Sequence, residues 1–143
     1  MCLNRTQIQI SFGTLLFTFL HHGLNAQDTW TQKANFAGPA KEQTVGFSIG
    51  TKGYFGTGSN PSKDFWEWDQ LTNVWTQKAD IGGGVRSQAV GFSIGTKGYI
   101  GTGDNGGLNF YKDFWEWDQT TNIWSQKADF GGLKRWFATG FSI

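Results

Sequence analysis

Two stretches of this chain are near-copies of two others, and that duplication constrains the fold more than any single motif. Thr44–Asn60 (TVGFSIGTKGYFGTGSN) returns 45 residues later as Ala89–Asn105 (AVGFSIGTKGYIGTGDN). Lys63–Asp80 (KDFWEWDQLTNVWTQKAD) returns 49 residues later as Lys112–Asp129 (KDFWEWDQTTNIWSQKAD), because four extra residues sit within Gly106–Tyr111. Asp28–Phe36 (DTWTQKANF) matches the end of this unit, and Ala138–Ile143 (ATGFSI) matches its start. The chain reads as tail, full unit, full unit, head. A period of this length marks a stacked architecture, in which one unit cannot bury its apolar face alone.

Each unit divides into short strands. In Thr44–Ile49, Val45, Phe47 and Ile49 alternate with smaller residues, the two-residue period of a strand. Gly50-Thr51-Lys52-Gly53 is a tight turn, so Tyr54–Gly58 is expected to return as the hairpin partner. Asp64–Asp69 is a third, aromatic-rich strand, Gln70–Asn73 the next turn, and Val74–Ala79 the fourth strand. No window keeps helical periodicity for three turns. The expectation is an all-β chain of four-stranded antiparallel meanders, stacked radially as propeller blades.

The unit resembles a kelch repeat. The second copy supplies Arg86 leading into strand one, Tyr99 before Thr102-Gly103, and Trp117 separated by six residues from Trp124. The first supplies Lys41, Tyr54, Thr57-Gly58, and Trp68 with Trp75. Threonine replaces the first glycine of the family's doublet, and tryptophan replaces its tyrosine. Gly56 and Gly101 are expected to supply part of the lost backbone freedom. The resemblance implies an incomplete kelch-type β-propeller, with two full four-stranded blades at 41–85 and 86–134. A last strand of a preceding blade would lie in 27–40, and a first strand of a further blade in 135–143. It also implies a truncated copy of a longer, bacterial-type secreted protein, or a short chain that self-associates through exposed blade faces.

The first 26 residues read differently. Arg5 precedes an apolar run, Ile10–Leu20, too short to cross a bilayer as a helix, and Leu24-Asn25-Ala26 ends in a small residue. This is the pattern of a secretory signal peptide cleaved after Ala26, leaving a secreted chain without membrane insertion. Cys2, His21 and His22 leave with it, so 27–143 holds no cysteine or histidine. Disulfides, Cys/His zinc sites, Ser-His-Asp triads and cysteine nucleophiles are thereby excluded. Loss of Arg5 from the 12 basic residues leaves them equal to the 11 acids, with no basic stripe for nucleic acid.

The acid pairs Glu67/Asp69 and Glu116/Asp118 each share a strand face and could in principle act on a glycosidic bond. Acid–base work needs two unlike environments, whereas a repeated pair predicts like ones, so these residues are read as scaffold. The repeated tryptophans are read as interblade filling. Asp104-Asn105-Gly106 lacks the spaced oxygens of a calcium loop. No catalytic residue, metal or cofactor is expected.

Differences between the copies concentrate on one rim, where SNPSK becomes DNGGLNFYK and IGGGVRSQ becomes FGGLKRWF. Loops on rigid scaffolds carry binding. The candidate ligand-binding residues are Arg86, Asn105, Asn109, Phe110, Tyr111, Arg135 and Trp136. Lys41, Arg86 and Arg135 form a recurring basic column, read either as ligand contacts or as structural hydrogen bonds. The reading is a non-catalytic module for a protein or glycan partner. The alternatives are a carbohydrate-binding propeller, or the propeller part of an enzyme resembling galactose oxidase, whose histidine-rich copper site 27–143 cannot supply.

Overall fold

The computed structural model describes residues 29–60 and 62–142. The expected signal peptide, 1–26, lies outside them. Gln32–Ile143 forms one compact unit, all-β and without a helix among the described residues. Its strands are β1 (Val45–Ile49), β2 (Lys52–Gly56), β3 (Phe65–Asp69), β4 (Val74–Lys78), β5 (Val90–Ile94), β6 (Lys97–Gly101), β7 (Phe114–Asp118) and β8 (Ile123–Lys127). They make two antiparallel sheets in chain order, β1 to β4 and β5 to β8. Register repeats with the sequence: Phe47 lies opposite Tyr54 and Trp68 opposite Trp75, as Phe92 does Tyr99 and Trp117 does Trp124. These repeated meanders fit a β-propeller-like fold.

Turn chemistry sets the strand ends. Ile49 pairs with Lys52, so Gly50 (φ 59°) and Thr51 alone make the first turn. A left-handed first position is what a two-residue hairpin with leading glycine requires. Strand β2 therefore starts two residues before the expected Tyr54. It ends at Gly56, because Thr57 turns left-handed at φ 58°. Gly56 and Gly101 do not take positive φ; Thr57 and Thr102 carry it themselves, and both of their buried hydroxyls lack a partner. The β3–β4 turn is closed by Asp69, whose Oδ1 accepts the amides of Leu71 (2.8 Å) and Thr72 (3.2 Å). Asp118 does the same with Thr120 and Thr121.

The sheets pack with β5 against β1. Trp117 is fully buried, its ring 4.9 Å from Tyr54 and 5.1 Å from Phe65. Each such ring contributes about 2–3 kcal/mol from area alone. Gln119 Nε2 donates to the Tyr54 hydroxyl at 2.7 Å, tying the sheets together. Val45, Ile49, Ile81 and Ile100 complete the core.

The two expected flanking strands do not form. Neither Thr29–Phe36 nor 138–142 belongs to a sheet, since the described residues offer no strand for either to pair with. Phe36 instead anchors its segment among Phe55, Trp66 and Trp75, with centroids 5.0, 5.4 and 5.1 Å away. Ala34 donates its amide to Asn73 Oδ1 (2.9 Å) and accepts from Trp75 Nε1 (3.2 Å). Ala79 repeats both bonds one unit on, with Asn122 and Trp124.

Candidate ligand site at the rim

Three short segments approach one another at the rim where the copies differ. Gln43, Gln88 and Phe137 occupy equivalent places and share left-handed backbone, at φ 56°, 53° and 52°. Such a turn costs a non-glycine residue about 1–2 kcal/mol, so neighbours must hold it in place. Here they form a backbone chain: the Gln88 amide donates to the Gln43 carbonyl at 3.0 Å, and the Phe137 amide to the Gln88 carbonyl at 3.1 Å. Gln88 Nε2 also donates to Gln43 Oε1 at 3.1 Å. The loops after β2 and β6 lock onto these segments, through Gly58 to Arg86 (2.9 Å) and Gly103 to Arg135 (2.8 Å).

Between them lies a cavity of about 540 Å³. Its polar wall is Gln43, Ser59, Asn60, Ser87, Gln88 and Asp104, and its apolar wall is Phe110 with Trp136. Those two rings stack at 4.1 Å and 13°. Asp104 is nearly buried and accepts from Ser87 Oγ (3.1 Å) and the Gly106 amide (2.6 Å). The cavity thus offers neutral amides and hydroxyls, one carboxylate, an aromatic pair and no cation.

Of the seven sequence candidates, Phe110 and Trp136 line this cavity. Arg86 does not. It is fully buried, bound twice to Asp113 (3.0 and 2.7 Å) and to the Thr102 carbonyl (3.1 Å), so no donor fork is left for a ligand. Tyr111 lies over the Arg86 guanidinium at 4.8 Å. Asn105 and Asn109 close a turn, the Asn105 amide donating to the Asn109 carbonyl at 3.2 Å. Arg135 is exposed, lies over Phe130 at 4.2 Å and donates to the Leu133 carbonyl. The basic column is therefore structural at Lys41, bonded to Ser62 and Asp64, and at Arg86. Gln43, Ser59, Asn60, Ser87, Gln88 and Asp104 were missed as residues, although the contrast between the rims pointed to their location.

The paired carboxylates are all held ionised. Burial alone would raise Glu67, but Lys52 Nζ (2.7 Å) and the Tyr54 hydroxyl (2.8 Å) outweigh it and lower the carboxyl. Backbone amides at Thr72 and Leu71 lower Asp69. Tyr99 and Lys127 lower Glu116, and Lys97 with the Thr120 amide lowers Asp118. Neither pair contains the raised, protonated member that general acid catalysis needs.

No protein-family model and no curated protein matches the chain. Among solved structures it is similar to that of YjhT, at 20% identity and a TM-score of 0.65 over 72% of this chain. The likeness is one of fold. This chain spans about a third, 32%, of YjhT.

Proposed function

We propose that this chain is a segment of a secreted kelch-type β-propeller acting as a non-catalytic binding module, with its ligand in the rim cavity. The observation that carries the reading is the convergence of ten cavity-lining residues on one rim, the rim where the two copies differ. The opposite rim is closed by near-identical turns. Among ligand classes, the Phe110–Trp136 stack beside neutral amides and hydroxyls favours a carbohydrate ring, which presents both apolar C–H faces and hydroxyls. Asp104 disfavours acidic ligands.

The test is a glycan array probed with the labelled chain, followed by calorimetry on any hit. Trp136→Ala should weaken binding by about tenfold, the equivalent of 1–2 kcal/mol of lost aromatic contact. Leu71→Ala, 82% exposed on the opposite rim, should bind as the parent does. Unchanged affinity in Trp136→Ala would remove the ligand from this cavity.

A further inference from the structure

Identical strings in the two sheets have different surroundings. Ile49 is 6% exposed and Ile94 52%, though both close the string VGFSI. Trp117 and Phe65 are fully buried, whereas their copies Trp68 and Phe114 are half-buried. The cause is one-sided covering. The second sheet lays Trp117 and Gly98 on the first sheet's face of Phe47, Tyr54 and Phe65. Phe92, Tyr99 and Phe114 stack in the same manner, at 5.4–5.9 Å, and no sheet among the described residues covers them. A short segment alone reaches that face. A Cβ on Gly140 would lie 2.4 Å from Val90, just as one on its copy Gly91 would lie 3.0 Å from Val45. This segment holds the place of a first strand, unpaired, and Phe141 beside it is 78% exposed.

We infer that a second copy of this chain docks head-to-tail on the second sheet. Its β1 takes the place of Ala138–Gly140, and its Trp68 covers Tyr99 and Phe114. The joint repeats the one inside the chain, so its complementarity already exists once with nearly the same residues on both sides. The two faces differ, so the contact is heterologous and either closes a ring or extends a filament. The slot for a preceding segment is filled by the chain's own Phe36, which leaves Phe130 outside the joint. The rim cavity plays no part in this contact.

Two substitutions test each face separately. A Cβ at Gly53 meets only Trp68, at 3.7 Å, whereas on its copy Gly98 it meets the Phe47 ring at 2.4 Å. Gly53→Val is thus tolerated in one chain and blocks docking by that face. Ile94→Glu puts a carboxylate at a position open in one chain and sealed in the joint. Sedimentation velocity of the full chain should show concentration-dependent assembly, weakened at least about tenfold by either substitution. An equimolar mixture of the two variants should give a 1:1 pair, because each keeps the face the other lacks. Melting curves verify the folds, and Gly46→Val replaces Gly53→Val if that melt is lost, since a Cβ there meets only the Tyr54 carbonyl at 3.6 Å. A monomer at every concentration would overturn the inference and leave Ala138–Gly140 as the permanent cover. Self-pairs that survive in either variant, or variants that stay apart when mixed, would overturn it too.

Discussion

Thr57 and Thr102 combine two costs in one residue: a β-branched side chain on left-handed backbone, and a buried hydroxyl without a partner. Thr102→Gly removes about 1–2 kcal/mol of backbone strain and an orphaned hydroxyl worth about 1–3 kcal/mol. It gives up roughly 1 kcal/mol of methyl packing. The urea midpoint should rise by the equivalent of about 1–2 kcal/mol with an unchanged slope; a lower midpoint would show that the hydroxyl is bonded. Arg86 behaves in the opposite sense. Arg86→Met strands the Asp113 carboxylate, and breaking a buried pair costs about 3–5 kcal/mol. The lower end applies here, because the Asp113 side chain is 19% exposed. Arg86→Lys should cost less, since Lys41 makes the matching contacts to Ser62 and Asp64 in the first unit. Equal losses in the two variants, read from the same urea titrations, would mean that the guanidinium fork rather than the charge sets the cost.

At the scale of elements, the interiors of all eight strands were legible because alternation and turn residues agree in both copies. Phe47, Tyr54 and Trp68 each repeat 45 or 49 residues on, in the same register. Two things were not legible. The flanking fragments carry strand sequence, but a strand also needs an edge to pair with, and that depends on tertiary context rather than on local pattern. The polar cavity wall was hidden for a different reason. Gln43 and Gln88 converge through left-handed backbone that glutamine does not signal, and amide or hydroxyl residues in loops carry no period. Phe36 shows how an unpaired fragment is still held. Phe36→Ala should release its segment while the sheets persist, so hydrogen exchange would lose protection at the Ala34 amide and keep it along β2 and β3. Loss of protection in both places would mean instead that this segment is part of the global fold.

For the whole molecule, the ion pairs set a pH window. Burial opposes the charge on Asp64, Glu67 and Asp113, yet bonds from Lys41, Lys52 and Arg86 hold all three below the usual carboxylate range. Groups lowered on folding add stability above the unfolded pKa of about 4 and lose it as pH falls through the folded value. Tyr54 has the reverse sign. Burial first, then its bond to Glu67, raises the phenol, so its contribution is full below about pH 10 and is lost as pH rises further. The melting temperature should therefore be flat from about pH 5 to 9 and fall on both sides. Tyr54→Phe should blunt the alkaline fall and release Gln119 from its bond between the sheets. Because that bond crosses the joint, a change in the alkaline limb without any loss at neutral pH would show that packing of Trp117 alone, and not the hydrogen bond, holds the two meanders together.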